Sequence, residues 1–271
     1  MRTYCTYFDR NYLFKAVALI DSLNRHEKGP FQLLAVCLDE ISRTILEKMN
    51  LPNVVAVPIH LLAERAEPLL EAKKNRSLVE YYFTLTPTVI LRLLSRYDLE
   101  EITYVDADLY FFSSPDPIFV EFAGHSVLIH EHRFSPRHRH RMIYGKYNVG
   151  LLCFRNDDRG LAVLKWWRDR CIEWCYARLE DGKYADQLYL DDWTERFDGV
   201  RVLENVGAGV APWNQDQYVF SRDKAGRILV DGVPLIFYHY HALLMINPDV
   251  MVLDKFHVYA MDEEMLPLLF L

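Results

Sequence analysis

The chain has 271 residues, 51% of them apolar, and a formal net charge of -7. That length and apolar fraction suffice for a sizeable core, in one large domain or two closely joined halves, and the ordinary charged fraction marks a soluble globular protein. An acidic balance excludes broad binding to nucleic acid or to an anionic bilayer through a basic surface.

The opening MRTYCTYFDRNY lacks the apolar core of a signal peptide, and no run reaches the roughly 18 apolar residues of a membrane span. The five cysteines (Cys5, Cys37, Cys153, Cys171, Cys175) are scattered without zinc-type spacing and read as reduced, buried thiols, with Cys171 and Cys175 at core-stripe spacing on one helix. The expected location is the cytoplasm, with peripheral contact at the inner membrane face left open. The C-terminal LPLLFL is too short to span and reads as core or as a contact for a partner or membrane surface.

In chain order, RTYCTYFD (2–9) reads as a strand and NYLFKAVALIDSLNRH (11–26) as a helix, with Leu13, Ala16, Val17, Ile20 and Leu23 at helical spacing. FQLLAVCLD (31–39) is a strand, ISRTILEKMN (41–50) a helix and NVVAVPI (53–59) a strand. Residues 62–76 and 77–97 are helical, with Pro87 starting or kinking a helix, and EITYVDADLYFF (101–112) is a fourth strand. Beyond Pro117, strands are predicted at 125–132, 147–156, 199–204 and 234–243, and helices at 160–181 and 183–197. The polar, basic stretch 133–146 and the Gly/Pro-containing stretch 207–218 are loops. Near-continuous apolar strands alternating with helices define an α/β fold with a mostly parallel sheet, and no repeat or linker divides the chain.

Asp106 and Asp108 stand inside an apolar run, where unpaired charges cost several kcal/mol. Ligands of open parallel sheets bind beyond the carboxyl ends of the strands. Three segments fall there: Thr6 to Tyr12, Asp106 to Asp108, and His239 to His241. Strand residues two apart share a face, about 6–7 Å apart. Where such a strand end bends, two carboxylates can converge on one ion, and with an imidazole and phosphate oxygens they suit Mn²⁺ or Mg²⁺. The plain alternatives are a solvated strand end for the aspartates and a satisfied core histidine for His239. The same holds for Asp186 and Gln187 as a solvated helix face and Asn148 as a turn or strand-cap residue.

The segments YVDADLYFFSSPDPIF, YNVGLLCFRN, YADQLYLDDW and PLIFYHYH, in that order after the first strand–helix–strand unit, resemble the GT-A-fold glycosyltransferases. They are most similar to the metal-dependent family 8 type, and the resemblance spans nearly the whole chain. It implies a Rossmann-like nucleotide-diphospho-sugar transferase domain over 1–271, with a nucleotide-binding half (1–115) and a sugar and acceptor half (116–271). It implies Asp106, Asp108 and His239 as ligands of Mn²⁺ or Mg²⁺, with Asp106 also near the ribose. Thr6, Tyr7, Asp9 and Tyr12 would hold the base and ribose, Asn148 the donor sugar, and Asp186 with Gln187 the reacting carbon. His241 replaces a small residue and is left as a phosphate contact or an alternative ligand. The implied donor is a UDP-sugar, the outcome retention, and the acceptor a glycan or lipid-linked glycan in surface polysaccharide assembly; no nucleic acid is involved.

The chain departs from that pattern at Thr86, where a basic residue is common, and in HALLMINPDV, which lacks the lysine of the C-terminal segment. Phosphate neutralisation is then expected from the ion and from Arg92, Arg137, Arg141 or Lys146. The basic stretch 133–146 is either a flap over the diphosphate or a solvated loop, and Trp213 with Asn214 are acceptor candidates. One alternative is a sugar-nucleotide nucleotidylyltransferase, disfavoured because TYFDRNYLFKAV has no glycine and only Arg10 and Lys15 as basic residues. The other is a non-catalytic nucleotide- or sugar-binding module.

Overall fold

The structure is a computed structural model that describes residues 1–63, 67–247, 250–252 and 259. β1 (Arg2–Phe8), α1 (Leu13–His26), β2 (Phe31–Cys37), α2 (Glu40–Met49) and β3 (Val54–Pro58) alternate as the apolar pattern predicts. Asp39 caps α2 by accepting from the Ser42 N–H (2.9 Å), and Asn50 ends it at φ 45. α3 (His60–Ala63) and α4 (Glu67–Asn75) lead to α5 (Leu78–Arg96), which opens on a capping box of Ser77 and Glu80. Pro87 lies inside α5 and the helix runs on. The carbonyl its missing N–H would have served, that of Phe83, lies 3.2 Å from the Thr86 hydroxyl.

β4 (Glu101–Val105) and β5 (Leu109–Phe111) correct the single strand expected over 101–112. The chain turns between them: the Leu109 N–H donates to Asp106 O (3.1 Å). Then follow α6 (Asp116–Phe122), β6 (Val127–Glu131), a 3-10 turn (Arg139–Tyr144), β7 (Tyr147–Arg155) and α7 (Asp158–Glu173). α7 stops at Glu173 because Trp174 is extended, so Cys175 lies beyond the helix; all five thiols are nevertheless free and buried. The helix expected over 183–197 is a 3-10 turn (Leu188–Asp192) joined to the short α8 (Trp193–Arg196), and Ala185 at φ 47 blocks an earlier start.

β8 (Val200–Val202) ends the main sheet, and β9 (Phe220–Arg222), β10 (Ile228–Val230) and β11 (Val233–Pro234) form a small antiparallel sheet the sequence did not signal. β12 (Phe237–His239) is the core of the final strand expected, and β13 (Leu244–Asn247) with β14 (Val250–Val252) is a hairpin. LPLLFL lies outside the described residues. Among the described residues no helix is long and apolar enough to cross a membrane.

The central sheet has seven strands in the order β3-β2-β1-β4-β7-β6-β8. All run parallel except β7, which is antiparallel to both neighbours. Alternate strand residues feed opposite faces. Cys5, Leu34 and Val36 pack with α5 and α7, whereas Tyr4, Leu33 and Ala35 pack with α1 and α6. The reversal of β7 places its first residues, Tyr147 to Gly150, at the same sheet edge as the carboxyl ends of β1, β4 and β6.

Candidate active site

The site forms where β4 ends. The Asp106 N–H donates to Gly150 O on β7 (2.8 Å), the last contact with the central sheet before the chain turns away. β5 then pairs with β12, setting His239 opposite Leu109. The turn brings Asp108 Oδ1 to 3.2 Å and Asp106 Oδ2 to 3.8 Å from His239 Nε2. One ligand atom from each of the three residues lies within 4.8 Å of the others. Two carboxylates and an imidazole at that separation are a donor set for a hard or borderline divalent cation such as Mn²⁺ or Mg²⁺.

The charges are strongly placed. Burial and the neighbouring Asp108 raise the Asp106 carboxyl above its ordinary value, although Tyr104 donates to its Oδ1 (2.6 Å). Burial would raise Asp108 too, but His239 and Lys15 outweigh it and hold that carboxyl below the usual range. Burial disfavours the His239 imidazolium, and the two aspartates overcome it, leaving its pKa above the ordinary value. Lys15, on α1, sits with Nζ 3.5 Å from Asp108 Oδ2 and 4.2 Å from the centroid of the Tyr12 ring.

Beside the triad stands Asn148. Its Oδ1 accepts from the Gly150 N–H (2.8 Å), and its Nδ2 lies 3.0 Å from His132 Nε2. His132 Nδ1 lies 3.3 Å from Lys146 O, so the network assigns the ring proton to Nδ1 and leaves Nε2 to accept from the amide. Burial pushes His132 down to about 3, keeping it neutral. Gly150 is required by contact: a Cβ there would stand 2.5 Å from Asn148 Oδ1 and 2.9 Å from His239 Nδ1. Gly150→Ala should therefore displace both side chains and weaken divalent-ion binding by about tenfold or more, checked by Mn²⁺ titration. An unchanged affinity would mean that the triad tolerates the shift.

Asp186 lies on the other side. It is buried, its Oδ2 is 3.1 Å from the Thr86 hydroxyl, and Thr86 Oγ1 is in turn 2.9 Å from the Tyr7 hydroxyl. The Asp186 carbonyl accepts from the Trp167 indole N–H (2.8 Å). Burial, with the charge of Asp106 adding to it, raises its carboxyl to about 7 despite Thr86. Gln187 donates to Tyr144 O (2.8 Å) and packs on Gly145, whose φ of 130 and close approach both favour glycine.

The first βα segment is distributed around this edge. Thr6 is buried and its hydroxyl has no partner among the described residues. Asp9 accepts from the Asn11 N–H and from the Tyr82 hydroxyl (3.1 Å), while Tyr12 is exposed. His241 is half-buried against Trp213, with ring centroids 5.6 Å apart.

Trp213 also packs on His239 (5.2 Å) and donates its N–H to His132 O, so it is a wall of the site. The Asn214 side chain is spent on backbone groups of His132, Gly209 and Ala211, which makes it a loop staple and leaves it no group for an acceptor. Of the basic candidates, Arg92 and Arg137 are exposed, and Lys146 is paired with Glu131 (3.0 Å). Arg133 is spent on three backbone carbonyls, and Arg141 lies over the Tyr259 ring. Sequence reasoning missed His132, Tyr104 and the burial of Lys15. Only Tyr104 carried a local signal, since it precedes Asp106 by two residues.

A mostly parallel sheet with one reversed strand, an acid pair at the end of β4 and a histidine carried in by β12 make this a GT-A fold. The galactosyltransferase LgtC, solved with donor and acceptor sugar analogs, superposes over 88% of this chain and 87% of its own, with a TM-score of 0.53 at 17% identity. Mouse xyloside xylosyltransferase 1 in its apo form superposes over 89% of this chain and 97% of its own, with a TM-score of 0.56 at 15% identity. No protein-family model matches the chain. In sequence it belongs to the family of the uncharacterized protein YfnF of Bacillus subtilis (strain 168), to which it is 34% identical over 252 residues, 90% of this chain and 82% of that protein.

Proposed function

We propose that the protein is a retaining glycosyltransferase that moves a sugar from a nucleotide-diphosphate donor, a UDP-sugar first, to a glycan or lipid-linked glycan acceptor. The observation that carries this reading is the convergence of Asp106, Asp108 and His239 at a sheet edge that also holds Asn148 and Asp186. Asp106, Asp108 and His239 would hold a divalent ion, which supplies Lewis-acid stabilisation of the leaving diphosphate when bound. Thr6, Tyr7, Asp9 and Tyr12 would bind the base and ribose, in the half of the chain running to 115. Asn148, oriented by His132, has a second amide hydrogen to offer the sugar. Asp186 in its ionised form, with Gln187, would stabilise positive charge at the reacting carbon. In this reading the departing phosphate would take the acceptor's proton. His241 would contact a phosphate or serve as an alternative ligand of the ion.

Stabilisation against heat tests the binding half of this reading. UDP at about a hundred times its dissociation constant should add roughly 2.7 kcal/mol in the presence of Mn²⁺ and little with chelator. No shift with UDP, GDP, CMP or dTDP under either condition would remove the reading's basis.

Asp186 gives a pH test. Its carboxyl is raised from 3.8 to about 7, so the folded state favours the protonated form. That stability is present below the unfolded value and is lost as pH rises through about 7. Asp186→Asn should therefore gain on the parent protein between pH 4 and 7, reaching on the order of a few kcal/mol by pH 8, while transfer collapses. Denaturation curves at pH 5 and pH 8 that shift equally in both proteins would contradict the assignment.

A further inference from the structure

Lys15 is a cation built into the site from the first helix, at a position the metal and sugar contacts do not explain. Its side chain is 5% exposed, and Nζ faces Asp108 Oδ2 at 3.5 Å. The other oxygen of that carboxylate, Oδ1, faces His239 Nε2 at 3.2 Å, so the two oxygens are divided between Lys15 and the triad. The lysine thus fixes the rotation of Asp108 and presents one oxygen to an ion. It also changes the charge of the site. Two carboxylates and a neutral imidazole carry two negative charges, which a divalent ion alone would cancel. With Lys15 counted against these three ligands, one negative charge remains among them, and a divalent ion alone would exceed it by one. A diphosphate removes that excess. The positions where basic residues might have served the diphosphate instead hold Thr86, or a Lys146 committed to Glu131.

We infer that Lys15 is a positioning residue that makes the divalent ion and the nucleotide diphosphate bind together, holding ion affinity low until the diphosphate arrives. The inference rests on the divalent-ion reading given above. Two like charges within a few ångströms in a half-dry site, the ammonium and the ion, repel by an amount worth a tenfold effect or more.

The test is a titration of Mn²⁺, following the free-ion paramagnetic resonance signal, on the full chain and on Lys15→Met and Lys15→Arg, with and without UDP. Lys15→Met should bind Mn²⁺ alone at least about tenfold more tightly than the parent chain, and UDP should raise its affinity far less. Lys15→Arg should keep the parent behaviour, which a merely structural role of the alkyl chain would not require. Should Lys15→Met fail to fold by circular dichroism, Lys15→Gln is titrated in the same way with the same expectation. Unchanged or weaker Mn²⁺ binding in the variant without charge, or an undiminished response to UDP, overturns the inference alone. No Mn²⁺ uptake by the parent chain even with UDP overturns the divalent-ion reading, and the inference with it.

Discussion

Asp108→Ala lowers release of nucleoside diphosphate from the donor by about a thousandfold, the loss expected when a group that stabilises the departing charge is removed. Asp108 is the most committed residue of the triad. Its two oxygens face His239 and Lys15, and it is held ionised by both. The substitution also takes from the buried Lys15 ammonium the carboxylate it faces at 3.5 Å, which itself costs stability. Stability and activity therefore have to be separated. Asp108→Ala combined with Lys15→Met should recover most of the lost stability and none of the activity, measured by urea denaturation beside the release assay. Activity within about tenfold of the parent chain in Asp108→Ala would remove this residue from the chemistry.

Trp167→Ala costs about 3–5 kcal/mol, the range for truncating a large buried aromatic. Trp167 is fully buried, stacked near Phe154 (centroids 6.5 Å) and edge-on to Trp193 (5.4 Å), where α7 packs on the sheet. Its indole N–H also donates to Asp186 O at 2.8 Å, which ties the core to the candidate site. Trp167→Phe separates the two roles. It keeps most of the packing and loses the hydrogen bond, so it should cost about 1–2 kcal/mol and still reduce turnover through Asp186. A loss below about 1.5 kcal/mol for the alanine variant would mean that the face collapses around the gap.

The alternation of strands and helices through residue 58 was legible because each segment carries its own period. The acid pair was legible because charge inside an apolar run demands a reason. The break after Val105 was not, since apolar residues continue on both sides and only pairing of β5 with the distant β12 ends the strand. The same pairing delivers His239, which the sequence marked only as the end of a final strand and the resemblance marked as a ligand. Asp186 was read onto a helix face because 183–197 has helical composition; the left-handed Ala185 breaks that helix and turns the carboxylate inward. His132 was hidden among the histidines and arginines of 130–141, and becomes the partner of Asn148 only through the antiparallel pairing of β6 with β7. Lys15 looked like any helix-surface lysine, and its burial follows from the tertiary placement of Asp108.

Sugar transfer from a nucleotide-diphosphate donor is the reaction proposed for the Asp106–Asp108–His239 site. Its most direct test is to incubate the chain and Asp108→Ala with Mn²⁺ and a panel of UDP-, GDP- and dTDP-sugars and to quantify the nucleotide released. Release from one donor class, UDP first, that needs Mn²⁺ and disappears in the variant is the predicted result. Release that is equal in both proteins, or absent with every donor, would contradict it.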